Sequence, residues 1–90
     1  MVNSEQFINA SNIVKTLSQT PTNDEMCLLY GLYKQATCGD NNGSKPNIFD
    51  FKAQAKYMKW NSCRGMDTYD SEVAYITLVN DLINKYNIKN

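Results

Sequence analysis

Two short runs hold the residues best suited to grip a ligand. In Tyr30-Gly31-Leu32-Tyr33-Lys34-Gln35-Ala36-Thr37, two phenol rings and an ammonium recur at three- and four-residue spacing, so on a helix Tyr30, Tyr33 and Lys34 share a face. In Asp50-Phe51-Lys52-Ala53-Gln54-Ala55-Lys56-Tyr57, Lys52 and Lys56 precede Lys59 at the same spacing. Either run alone has an ordinary reading: a tyrosine stripe usually packs in a core, and a lysine stripe usually faces water. Together they suit a flat ring attached to phosphates. Such a ring would stack on tyrosine, and the phosphates would accept charge-assisted hydrogen bonds from lysine. A greasy group could lie nearby, on Met26 for instance.

Charge agrees with that chemistry. The 90-residue chain is neutral overall, but residues 30–64 carry six basic groups against two acids, a surplus of four positive charges balanced by the acidic remainder. A neutral protein with a basic middle attracts a small anion without binding nucleic acid or membranes broadly. The absence of histidine removes the commonest general base and the usual partner of a nucleophilic Ser or Cys, so catalysis is not expected. Cys27, Cys38 and Cys63 are odd in number and widely spaced, which fits reduced thiols in a cytoplasmic protein better than a disulfide framework or a zinc site. There is no apolar run long enough to span a membrane and no secretory or lipidation signal, so stable membrane insertion is not expected.

Four segments have helical periodicity, and none alternates long enough for a strand. Phe7, Ala10, Val14 and Leu17 form one apolar stripe over about residues 4–17, closed by Ser18-Gln19-Thr20-Pro21. Thr22-Asn23-Asp24-Glu25 fits a capping box and opens a helix to about Thr37. A loop dense in turn formers, residues 39–47, is the longest connection. A third helix spans about Asp50–Cys63 with Gly65 as its stop, and a fourth runs from about Asp67 to Tyr86. Four amphipathic helices in one domain of this length must bury their stripes on one another, which predicts an all-α four-helix bundle with the first and last helices in contact.

At this point the sequence resembles a known family. Tyr-x-x-Tyr-Lys-Gln-Ala-Thr-x-Gly-Asp from Tyr30 to Asp40, Pro-x-x-x-Asp-Phe from Pro46 to Phe51, and Lys-Tyr-x-x-Trp-Asn from Lys56 to Asn61 are similar to the acyl-CoA-binding protein family. So are Thr20-Pro21 before the second helix and Ala74-Tyr75-Ile76 in the fourth. The resemblance covers nearly the whole chain, residues 1–90 as one domain. It implies a bundle in which helices one and four run antiparallel and helix three returns over helix two. It also implies a non-catalytic carrier of long-chain acyl-CoA that needs no cofactor or metal and is monomeric without ligand.

Residue roles come from the same resemblance. Tyr33 is expected to stack on adenine. Lys34 and Lys56 are expected to hold the ribose 3′-phosphate, with the Tyr30 hydroxyl close by and Gly31 and Leu32 in the same binding run. Lys15 and Tyr75 would close the site from the other side, and Met26, Cys27 and Ala55 would floor the acyl groove. Cys27 stands where the family commonly has Leu, and Gln54 replaces a frequently basic residue. The competing reading is a helical interaction module whose Tyr30–Lys34 face contacts another protein.

Overall fold

A computed structural model describes residues 3–89. Its order is α1 (Glu5–Ile13), one 3₁₀ turn (Val14–Thr16), α2 (Asn23–Cys38), α3 (Phe51–Ser62) and α4 (Thr68–Tyr86). The expected all-α bundle is present, and the described residues contain no strand, only one isolated bridge between Leu17 and Ile88.

Each helix starts at a side chain that accepts an otherwise free backbone N–H. Ser4 caps α1 through Phe7 N, Asp50 caps α3 through Ala53 N, and Asp67 caps α4 through Asp70 N. Thr22 and Glu25 form the full reciprocal capping box of α2. The ends are less legible from sequence. α1 tightens into 3₁₀ geometry after Ile13 instead of continuing to Leu17, and α3 closes at Ser62, leaving Gly65 (φ +91°) to the following turn.

The core consists of Phe7 and Ala10 from α1, Leu32 and Ala36 from α2, Tyr75, Val79 and Leu82 from α4, and Cys63 beyond α3. α1 packs on α4 as expected, α2 packs on both α4 and α3, and α3 packs against no helix but α2. The direction of α4 differs from the antiparallel expectation. Ser4 N and Asn3 Nδ2 donate to Glu72 Oε2, near the start of α4. At the other end Ser18 N donates to Asn87 O (2.9 Å) and Lys89 N to Thr16 O (2.7 Å). Both helices therefore run the same way: α1 and α4 are parallel.

The cause is the long loop. It carries the chain back along the bundle, so α3 runs parallel to α2, with Tyr30 beside Lys56 and Lys34 beside Trp60. The short turn into α4 then reverses the chain, which makes α4 antiparallel to α2 and parallel to α1. Glu25 at the start of α2 meets Lys85 and Tyr86 at the end of α4, as that order requires. The loop is fixed at its first residues. Asp40 Oδ1 accepts from Gln35 Nε2 and Gly65 N (both 2.8 Å), Trp60 Nε1 donates to Gly39 O (2.8 Å), and Arg64 donates to Asn41 O. Asn41 Oδ1 also accepts from Gly43 N, the turn chemistry expected of this segment.

Gly31 sets the α2–α3 spacing. A Cβ there would lie 2.8 Å from the Lys59 carbonyl carbon and 2.9 Å from Trp60 N, both backbone atoms that cannot swing aside. Gly31→Ala is expected to destabilise the protein by of order 1 kcal/mol. Overpacking costs about 1–3 kcal/mol and only about 1 kcal/mol returns as helix propensity. A urea midpoint at or above that of the wild type would contradict this seam.

Glu25 joins the far ends of α2 and α4. The Tyr86 hydroxyl (2.6 Å), the Lys85 ammonium (2.9 Å) and Thr22 N–H (2.8 Å) hold its pKa down from 4.5 to about 2. Because folding depresses this pKa, its contribution is whole above about pH 4.5 and drains away as pH falls toward about 2. Melting temperatures of wild type and Glu25→Gln should differ at neutral pH and converge through that window. A gap that does not change with pH would show the carboxylate's charge to be unimportant.

Candidate ligand groove

A groove of about 460 Å³ opens between α1, α2, α3 and α4. Helix α2 supplies Met26, Leu29, Tyr30 and Tyr33, which recur at i, i+3, i+4 and i+7 and so form one continuous stripe. Ser11, Val14 and Lys15 come from α1 and the 3₁₀ turn, Lys56 from α3 and Tyr75 from α4. Six of the residues expected at a ligand thus meet around one opening: Lys15, Met26, Tyr30, Tyr33, Lys56 and Tyr75.

The aromatic wall is built from the core outward. Phe7 is buried and stacks on Tyr33 at a centroid distance of 5.5 Å and an interplanar angle of 23°. Tyr75 packs on both rings, at 5.0 Å from Phe7 and 6.0 Å from Tyr33. Tyr33 remains 41% exposed, so its ring is backed on the inside and open on the outside. Tyr30 meets Trp60 edge to face at 6.4 Å, and the Lys56 ammonium stands 5.4 Å from its centroid. A stacking platform needs this kind of support, because a ring already held in place loses little entropy on binding.

The electrostatics are one-sided. The lining includes two lysines and no acid. Among the described residues the one salt bridge is Lys85–Glu25, far along α4, so neither Lys15 nor Lys56 has a carboxylate partner. Tyr75 is only 4% exposed. Burial, then the neighbouring Tyr33, pushes its pKa up to about 12, so its hydroxyl stays a neutral donor. The groove can therefore stack a planar ring, donate to anionic oxygens and cover apolar atoms with Met26, Leu29 and Val14. The described residues contain no cluster of potential metal ligands and no disulfide.

The other expected residues stand elsewhere. Helical rotation carries Cys27, Gly31 and Lys34 to the flank of α2 that faces α3. There Gly31 meets the α3 backbone, and Lys34 Nζ lies 5.1 Å from the Trp60 ring centroid. Leu32 is buried in the core, so it and Gly31 support the groove and do not line it. Ala55 lies on the exposed side of α3. Ser11, Val14 and Leu29 line the groove without having been singled out. Their signal was available: Ser11 and Val14 share a face with Lys15, and Leu29 lies between Met26 and Tyr33 on the same stripe.

A family model described as "Acyl CoA binding protein" matches residues 4–79. The chain belongs to the acyl-CoA-binding protein family. It is 46% identical over 80 residues to acyl-CoA-binding protein homolog 1 of Caenorhabditis elegans, covering 89% of this chain and 93% of that one. It is 43% identical to the acyl-CoA-binding protein of Saccharomyces cerevisiae over 83 residues, covering 92% and 95% of the two chains. Among solved structures, the crystal structure of Oryza sativa acyl-CoA-binding protein 2 superposes with a TM-score of 0.84 at 37% identity, over 90% of each chain. The solution structure of the yeast acyl coenzyme A binding protein gives 0.75 at 43% identity, over 93% and 98%.

The packing around Tyr75 makes one of the six tyrosines distinctive. Alkaline titration followed by phenolate absorbance should show one ring ionising near 12, and that step should vanish in Tyr75→Phe. Its persistence in the variant would assign the buried phenol elsewhere.

Proposed function

We propose that this protein is a non-catalytic carrier of long-chain acyl-CoA, the class of ligand for which its relatives are named. One observation carries the reading: three tyrosine rings and two lysines with no salt-bridge partner among the described residues converge on a single groove whose remaining lining is mostly apolar and free of acids. On this reading adenine stacks on the open side of Tyr33. Lys56 and Lys15 hold phosphate oxygens, with Lys34 reaching in from the α3 flank and the hydroxyls of Tyr30 and Tyr75 donating beside them. The acyl chain follows Met26 and Leu29 toward Cys27 and Ala55. The chain has no histidine, which supports binding without chemistry on the thioester. Free thiols at Cys27, Cys38 and Cys63 suit a reducing, cytoplasmic setting.

The magnitudes favour the ester over its parts. One base–aromatic stack contributes about 1–3 kcal/mol, and each hydrogen bond to a charged group about 1.5–3 kcal/mol. A stack and three such bonds reach roughly 6–12 kcal/mol, against about 4–15 kcal/mol lost on association. The head group alone therefore binds weakly. Each covered methylene adds about 0.8 kcal/mol, so even six contribute about 5 kcal/mol.

Titration calorimetry with palmitoyl-CoA, CoA and palmitate tests this directly. Palmitoyl-CoA should bind one to one, CoA much more weakly, and palmitate not at all. Tyr33→Ala should cost about 1–3 kcal/mol of affinity, and Lys56→Ala at least about 1.5 kcal/mol. Unchanged affinity in both variants would remove the groove from the binding site.

A further inference from the structure

Helix α3 has its apolar residues on two sides. Ala53, Tyr57 and Trp60 turn toward α2 and the loop, whereas Phe51, Ala55 and Met58 recur at i, i+4 and i+7 on the opposite side, facing solvent. Because α3 packs on no helix but α2, nothing in the bundle covers this second stripe. The preceding loop extends it: Phe49 is 82% exposed, Phe51 76%, and Ile48 and Met58 68% each. Four large apolar side chains, two at each of two depressions, are more than the scattered exposure normal for a soluble protein.

The surrounding charge is mainly positive, with Lys45 and Lys52 set against Asp50. Phe49 and Phe51 border a shallow depression with Lys52, and Ile48 and Met58 border another with Lys45. The acid among these residues, Asp50, is engaged as the α3 cap through Ala53 N (3.1 Å). Lys56 and Lys59 follow on the same helix, one and two turns beyond Lys52.

We propose that Ile48, Phe49, Phe51 and Met58, with Lys45 and Lys52, form a peripheral docking surface for an anionic lipid bilayer. Projecting aromatic and aliphatic tips insert at the headgroup–acyl boundary without a shape-matched partner, while lysine stems lie along the apolar surface and present their ammonium groups to lipid phosphates. A second copy of this chain is a poorer occupant, since a two-fold contact would bring together two rims that each carry two lysines and one acid. The attachment is reversible: a few apolar tips and lysines hold a protein on a surface far less firmly than a spanning helix. None of these six residues lines the ligand groove, and the test uses ligand-free protein, so the proposal stands or falls independently of acyl-CoA binding.

The experiment is co-sedimentation of the ligand-free chain with two kinds of vesicle, phosphatidylcholine alone and equimolar phosphatidylcholine and phosphatidylserine. Partitioning onto the anionic vesicles is expected, weakening as salt rises. Phe49→Ser with Phe51→Ser should lower it by more than about tenfold. Lys45→Gln and Lys52→Gln should each lower it about fivefold, at roughly 1 kcal/mol per lysine near the surface. Tyr69→Ser, at an exposed aromatic on α4, should leave it unchanged. Circular dichroism melts confirm that each variant is folded, and the lysine variants test the proposal even if the double phenylalanine variant unfolds. Equal binding to both vesicles, binding to neither, or partitioning unaffected by the lysine substitutions would overturn the assignment. Self-association in the absence of lipid, abolished by the phenylalanine substitutions, would also overturn it and give the patch to a second copy.

Discussion

Helix α3 reaches the rest of the bundle through α2, and the closest point of that seam is Gly31, where the two backbones leave no room for a methyl group. Close approach lets a helix with no fully buried residue be held by one partner. It also brings Lys56 over Tyr30 and Trp60 against Tyr30 and Lys34, so the α3 wall of the groove is set by the same contact. Widening the seam would move the lysine away from the ring stripe it faces. The functional geometry therefore depends on a residue that does not itself line the groove.

Such a groove is uncomfortable for the fold. Two ammonium groups without counter-charges among the described residues, and an exposed ring, contribute little to stability until a ligand arrives. Five of the nine acids are engaged elsewhere. Glu25 ties α2 to the end of α4, Glu72 holds the start of α1 through Asn3 and Ser4, Asp40 fixes the loop to Gly65, and Asp50 and Asp67 cap helices. Hydrogen bonding lowers the pKa of Glu25, Asp40 and Glu72, against the opposing pull of burial, which for Glu72 is the largest influence. Structural electrostatics and ligand electrostatics are thus kept apart in space. A neutral composition can then present a locally basic surface.

Much of this was legible in the sequence, to a depth set by the range of each interaction. Thr22 and Glu25 are three residues apart, and their capping box was readable because both partners lie in one short window. The shared face of Tyr30 and Tyr33 was readable for the same reason, whereas Lys34, expected with them, stands on the flank toward α3. Helix direction was not: periodicity in α1 and α4 shows that each has an apolar face, but parallel and antiparallel packing bury such faces equally well. What decides is the path of the 39–50 loop, fixed by contacts such as Asp40 with Gly65 that are distant in sequence. Leu32 and Gly31 were drawn into the expected site by belonging to a contiguous signature. On a helix each residue turns about 100° from the last, so Gly31 and Leu32, between the two rings, turn toward α3 and the core instead of the groove.

The two-sided character of α3 follows from the same economy of contact. A helix that touches one partner needs one buried stripe, and Ala53, Tyr57 and Trp60 already supply it, so folding places no demand on Phe51 and Met58. Nor does chain solubility favour large apolar groups there, since exposed Phe and Met add to association risk without adding to the core. Side chains that neither stabilise the fold nor line the groove, yet are flanked by lysines on both sides of the patch, are best accounted for by something outside the molecule. A lipid surface satisfies both features together, because it offers hydrocarbon beneath a layer of negative charge. It would also leave α3 facing the bilayer on one side and lending Lys56 to the groove on the other.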